Sequence, residues 1–386
     1  MTRRLARRVI AALLAICGGL SGQTFRVYIG GFTKPNMGKG ISVSRLDGRT
    51  GILEPAKLAA VLPEATFQTL HPSGRFLYST SELPEYEGQP SGGVYAYAAG
   101  AASGELTFLN RVASGGAGPC HISITGDGRF VAVANYAGGS VAVFAVEADG
   151  RLGKRTALVR HKGEHGPHER QDAPHAHSVD FSADARFLIV SDLGLDRVFS
   201  YPFDAKAGRI DESHAHLVAI APGSGPRHFA FHPNGRFGYV ISELASTLTA
   251  LAYDARTGKL RPLHTSSTLP ADPGIPKDAN RTAEVAVSAD GRFVYGSNRG
   301  HESIAQFEIR ANGEAARLVD NARTDGRGPR NFALVPGGRW VLVANRSTHQ
   351  VVVFARDPAT GRLTIGSRID VPDPSCLRIL PLEKKP

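Results

Sequence analysis

Sulfur and indole are scarce in this chain: 386 residues include 3 cysteines, 2 methionines and 1 tryptophan. Past an apolar run that contains Cys17, only Cys120 and Cys376 remain. Two thiols define no disulfide framework, and no closely spaced cysteine pair offers a zinc clamp, so both are expected to be buried thiols. Long apolar runs are lacking too. The run over residues 9–20 is too short to cross a bilayer, so no membrane span is expected. No basic stretch is interleaved with aromatics, which argues against nucleic acid as a partner. No segment carries the apolar spacing of an amphipathic helix. A GxSxG elbow and a GxxxxGK[ST] loop are both missing, which argues against a serine hydrolase of that type and a nucleotide enzyme.

Glycine and proline, by contrast, are plentiful at 44 and 24, which suits a turn-rich β fold. The chain opens MTRRLARRVIAALLAICGGLSGQ, with Arg3, Arg4, Arg7 and Arg8 ahead of the apolar run. That is the pattern of a secretory signal peptide, read here as residues 1–23. The remainder, residues 24–386, is read as one domain, exported to the periplasm or beyond. Without the four arginines, 41 basic residues face 35 acidic ones, and the formal charge falls from +10 to +6. Such a mild excess draws small anions to the surface.

The stretch 225–263, GPRHFAFHPNGRFGYVISELASTLTALAYDARTGKLRPL, reads as four short strands. HFAFH alternates, Pro233-Asn234-Gly235 turns the chain, and RFGYVIS returns. STLTALAYD follows a polar break at Ser242-Glu243, and a turn at 254–258 leads into KLRPL. The hairpin phrase recurs as HPSGRF (71–76), TGDGRF (125–130), SADARF (182–187), HPNGRF (232–237), SADGRF (288–293) and VPGGRW (335–340). Its aromatic residues fall 47–57 positions apart, Trp340 taking the last place. Four strands at this period indicate a propeller rather than a solenoid. Six copies are complete. A seventh is split, with TFRVYIG, GISVSRLD and LEPAKLAA near the start and PSCLRIL (374–380) near the end. The predicted fold is therefore all-β, a seven-bladed β-propeller of four-stranded antiparallel blades. N- and C-terminal strands share one blade, which closes the ring and removes an open edge.

Alignment on the repeated aromatic picks out one end of the ring. Ten positions before it stand Thr66, Cys120, His177, Arg227, Ala283 and Arg330; nine before stand Phe67, His121, Ser178, His228, Glu284 and Asn331. Six after stand Glu82, Tyr136, Leu193, Glu243, Arg299 and Arg346. First and second strands of a blade run antiparallel, so these registers meet at one mouth, where shape is constant and charge varies. Arg227, Arg299 and Arg330 repel one another there unless an anion, or carboxylates such as Glu243 and Glu284, lies between them. The mouth is thus read as an anion site, with Arg330, His228, Glu284, His175 and His121 as substrate contacts.

Residues 161–177, HKGEHGPHERQDAPHAH, hold five histidines. Their spacing fits no regular zinc pattern, and the segment is read as an inter-blade loop over the mouth, with no metal and no cofactor expected. Two other classes stay open: a metal-dependent enzyme using this loop, and a non-catalytic propeller that displays loops to a protein or glycan.

GPCHISITGDGRFVAVANYAGGSVAVF, ERQDAPHAHSVDFSADARFLIVSDLGLDRVFSY, GPRHFAFHPNGRFGYVISE and GPRNFALVPGGRWVLVAN resemble the seven-bladed propeller lactonase family, over nearly all of the chain past residue 23. That family includes the propeller-type 6-phosphogluconolactonase and the fungal carboxy-cis,cis-muconate lactonising enzyme. The resemblance implies a catalytic set of His177 (in HAHS), Arg227 (in GPRH), Glu243 (in ISE) and Arg299 (in SNRG). It implies metal-independent hydrolysis of a small anionic lactone by a monomer or weak oligomer, with muconate-type lactonising activity as the alternative. The family's phosphogluconolactonases act on a cytosolic intermediate, whereas this chain opens on an export signal, so the resemblance does not carry the substrate with it.

Overall fold

The computed structural model describes residues 23–33 and 38–382. The signal-peptide segment therefore lies outside the described residues, apart from Gln23. Seven sheets of antiparallel strands follow one another along the chain. Six are continuous in sequence: residues 68–113, 119–160, 176–219, 226–267, 281–323 and 329–370. The seventh joins both ends, in the order Pro374–Pro381, Thr24–Gly31, Gly40–Asp47, Lys57–Val61. In the third blade the outermost strand is broken into Arg209–Ile210 and His216–Ala219, both paired with Arg197–Asp204. Two 3-10 turns, Lys277–Ala279 and Arg346–Thr348, are the helical elements of the described residues, and no described helix is long and apolar enough to cross a membrane.

Burial follows position in the blade. Second strands such as Phe130–Asn135 and Trp340–Asn345 are buried at every residue, because neighbouring blades cover both faces. They therefore read as continuous apolar runs. Outermost strands, such as Leu363–Asp370, lie mostly in solvent and carry the charge.

The repeated aromatic is the device that locks blade to blade. Gly150, at φ 88°, leaves room for Phe76 of the preceding blade: a Cβ there would lie 2.3 Å from the ring. The same contact recurs at Phe130, Phe187, Phe237 and Phe293, and Trp340 closes on Gly51 of the split blade. Trp340 also donates its indole N–H to Gly48 O at 2.8 Å. In the split blade Arg26 takes the aromatic's place. Its guanidinium donates to Ala101 O and Ala102 O of the first blade, at 2.8 and 3.1 Å. At this junction a guanidinium thus stands where the other six set an aromatic ring against a glycine.

The second constant feature is a β-bulge near the start of the innermost strand. Pairing skips a residue between Pro119 and His121, Ala176 and Ser178, Pro226 and His228, and Pro329 and Asn331. It does so again at Thr282/Val285 and opposite Gly30/Gly31. A bulge carries an extra residue, so two consecutive side chains can face the same way, which a regular strand forbids. This is why adjacent registers both reach the channel.

Removal of residues 374–386 is expected to strip the strand paired with Thr24–Gly31 and leave an open edge beside buried Tyr28 and Ile29. Size-exclusion chromatography and thermal melting should show aggregate in place of a cooperative monomer. A variant that elutes and melts like the parent would contradict the closure.

Candidate active site

The bulge residues build two layers across the channel. The upper layer, at the mouth, holds Cys120, His177, Arg227 and Arg330. The layer beneath holds Phe67, His121, His228, Glu284 and Asn331, most of them buried. Rings close this lower layer into a floor. Phe67 and His121 lie 4.1 Å apart between centroids, His121 and His228 5.0 Å, and His177 meets His228 from above at 5.3 Å.

Glu243 stands at the centre of the mouth with only 4% of its side chain exposed. Its Oε2 accepts from Arg227 Nε at 2.8 Å and lies 3.8 Å from His177 Nε2. Its Oε1 accepts from Arg170 at 2.5 Å and meets Arg299 Nη2 at 3.1 Å. Burial opposes its ionisation, yet Arg299, Arg227, His177 and Arg170 together hold its carboxyl well below the usual range. It is a carboxylate at any neutral pH. Burial lowers Arg299 to about 9, so it stays a cation.

A second line of contacts runs down from Arg227. Its Nη1 donates to Ala283 O at 2.8 Å and contacts His228 Nε2 at 2.9 Å. His228 Nδ1 meets Glu284 Oε1 at 3.0 Å. Because an arginine has no acceptor, Nε2 must be the bare nitrogen and Nδ1 the donor. Glu284 also accepts from Asn331 and from the Val285 N–H. Glu284 thus reaches Arg227 only through His228 and does not lie between arginines, as Glu243 does.

Burial and the Arg227 charge hold His177 well below 6.5, so its imidazole is neutral and free to take a proton. Burial does the same to His228 and His121. Cys120 Sγ sits 3.7 Å from His177 Nδ1. Arg330 makes no ion pair among the described residues; it covers the Phe32 ring at 5.1 Å, with Arg346 at 3.8 Å from the same ring. Arg346 pairs weakly with Asp373 at 3.4 Å. A cavity of about 10 Å³, room for one water, is lined by Arg227, Arg330 and Glu82, whose buried Oε2 makes no hydrogen bond among the described residues. Burial raises the Glu82 carboxyl.

The histidine-rich loop is anchored from within. Asp192 accepts from His161 Nδ1 at 2.6 Å and from the backbone N–H groups of His175 and Leu195 at 2.9 and 3.0 Å. His175 spends both nitrogens on Tyr136 O and Asp172, and its ring stacks on Tyr136 at 4.3 Å. It positions Tyr136, whose hydroxyl accepts from Arg170 at 3.0 Å. No group of three His, Cys, Asp or Glu among the described residues is arranged to hold a metal. Arg170 escaped the sequence reading because it lies in a loop, outside every repeat register.

Fold and site together define a propeller whose channel mouth gathers arginines around a buried carboxylate beside a neutral imidazole. The family model "Lactonase, 7-bladed beta-propeller" matches residues 26–379. The 6-phosphogluconolactonase of Bacillus subtilis is 39% identical over 354 residues, 92% of this chain and 97% of that protein. The 6-phosphogluconolactonase of Formosa agariphila is 34% identical, over 87% of this chain and 94% of its own. The periplasmic gluconolactonase of Pseudomonas aeruginosa superposes with a TM-score of 0.85 at 34% identity, covering 93% of this chain and all of the other. The chain belongs to the seven-bladed β-propeller lactonase family.

Glu243→Gln keeps the shape but leaves Arg227 and Arg299 buried without a counter-charge. A loss of about 3–5 kcal/mol is expected, read as a lower Tm at neutral pH. A carboxyl with a depressed pKa stabilises above its unfolded value and loses that contribution as pH falls through its folded one. The parent–variant gap should therefore persist from neutrality down to pH 4.5 and close below it. A gap absent at pH 7 would contradict the account.

Proposed function

We propose that the chain hydrolyses a small sugar-acid lactone carrying a carboxylate or phosphate, with His177, Arg227, Glu243 and Arg299 as the catalytic set. One observation carries the reading: a neutral imidazole, His177, stands beside a carboxylate that three arginines keep ionised. His177 takes a proton from water as its oxygen attacks the lactone carbonyl carbon. Arg227 Nη2, uncommitted among the described residues, and Arg299 receive the charge growing on the carbonyl oxygen. Glu243, 3.8 Å from His177 Nε2, stabilises the imidazolium while it exists. As the tetrahedral centre collapses, the ring C–O bond breaks and the imidazolium returns its proton to the leaving alkoxide. One water is consumed, and a hydroxy acid leaves as its carboxylate and a proton. Arg330 and Arg346, flanking Phe32, supply the positive rim that holds the substrate's anionic group.

The basic and apolar order of residues 1–23 supports action outside the cytoplasm, as does likeness to a periplasmic gluconolactonase. That likeness also favours a second reading, an uncharged aldonolactone at the same mouth. A panel of sugar lactones with a carboxylate, with a phosphate and with neither, plus muconolactones, separates the readings. Turnover of the uncharged members alone would remove the anionic substrate.

Arg227→Ala is expected to lower turnover of an accepted lactone by roughly two to three orders of magnitude, and His177→Ala by about a hundredfold or more. Activity that survives both substitutions would place the chemistry elsewhere. The pH profile is a separate check. A base whose pKa is held down stays deprotonated into acid, so the acidic limb of kcat/KM should lie below pH 6.5. A limb at or above 6.5 would remove His177 as the base.

A further inference from the structure

Below the imidazole floor the channel opens again, toward the hairpin-turn face of the ring. Two residues beyond the floor on each inner strand, Arg378, Thr69, Ser123 and Asp180 form one arc on four successive blades. Ala230, Ala286 and Ala333 form the opposite arc and leave it empty of side chain. The resulting cavity holds about 270 Å³ and is separated from the mouth by Phe67, His121 and His228. Glu284 reaches it from the floor.

We propose that this lower cavity binds a small primary ammonium compound, its –NH3+ group on Asp180, Ser123 and Glu284 and its short carbon chain against Ala286 and Phe332. The lining is short of a donor. Asp180 Oδ2 and Ser123 Oγ are both shut off from solvent without a hydrogen bond of ordinary geometry among the described residues, although the Ser178 hydroxyl lies near the Asp180 carboxyl, a costly state for buried polar atoms. Asp180 makes no ion pair there either. The cation of the arc, Arg378, is committed elsewhere: its Nε and Nη1 donate to Gln68 O and Leu377 O at 2.6 and 2.8 Å, and it lies over Phe67 at 4.5 Å.

Charge selects the ligand class. Two carboxyls against one guanidinium leave the ionised lining one positive charge short. Burial pushes Asp180 up to about 8, helped by Glu284 and opposed by Ser178 and Arg378, and burial raises Glu284 as well. A proton on Asp180 occupies the place of the missing cation. A hard metal ion needs about six or more oxygens, whereas an ammonium needs three acceptors, and no metal-competent group of three side chains is found among the described residues. The cavity has room for a chain of a few carbons. This site stands whether or not the mouth opens lactones as proposed.

Isothermal titration of the full chain with n-butylammonium chloride tests the assignment, with n-butanol, sodium butyrate and sodium chloride as companion probes. Saturable binding of the amine alone is expected. Run at neutral pH in two buffers of different ionisation enthalpy, it should release up to one proton as Asp180 ionises. Asp180→Asn, which resembles the protonated acid and so should fold, is expected to weaken binding roughly tenfold or more, since hydrogen bonds to charged groups are the strong ones. Ser123→Ala should weaken it less. Arg346→Ala, altered only at the rim of the mouth, should bind the amine as the parent does. No saturable heat with the amine, or butyrate binding in its stead, would overturn the proposal. So would sodium competing at equal strength, Asp180→Asn binding unchanged, or Arg346→Ala abolishing binding.

Discussion

Glu243 gathers Arg170, Arg227 and Arg299 onto two oxygens at a place almost without water. Each partner brings a different part of the molecule: an inter-blade loop, an innermost strand, and the end of a second strand one blade further on. Desolvation resists every charge in the group, and only their mutual attraction offsets it. The consequence reaches His177. A neighbouring carboxylate favours an imidazolium, but burial and the arginines disfavour it more, so the ring rests neutral beside a partner ready to stabilise its charged form. The same balance cannot be struck on an exposed surface, where water would screen both effects.

Much of the architecture is legible because it repeats. Phe76, Phe130, Phe187, Phe237, Phe293 and Trp340 recur with their turns, and the contact each makes with a glycine of the next blade explains why a large ring is retained there. Even the split blade announces itself, through a terminal strand that lacks a partner at its own end. Arg26 does not, because a charged residue in an aromatic register carries no local sign that it will bond two carbonyls across a seam.

The candidate site is legible to a different depth. Alignment finds His177, Arg227, Glu243 and Arg299 because each varies where the repeat is otherwise constant. It cannot separate mouth from floor. Registers nine and ten positions before the aromatic both reach the channel only because a bulge turns two successive side chains the same way, and a bulge is a property of pairing rather than of residue type. That is why His121 and Glu284 stand beneath the mouth. Asp180 and Arg378 pass unnoticed for a related reason: two positions further down the strand, most blades carry only small residues. Arg170 belongs to no register at all.

Thr24 O accepts from Leu382 N at 2.9 Å, so the beginning and end of the described chain meet in one sheet. Synthesis runs from one of these ends to the other. Six blades can assemble as they emerge, but one edge of the first strand stays open until the strand Pro374–Pro381 has been made. The ring therefore cannot close before that strand exists. For any polypeptide that must be threaded elsewhere as an open strand, such a clasp delays the locked state until its far strand has been made.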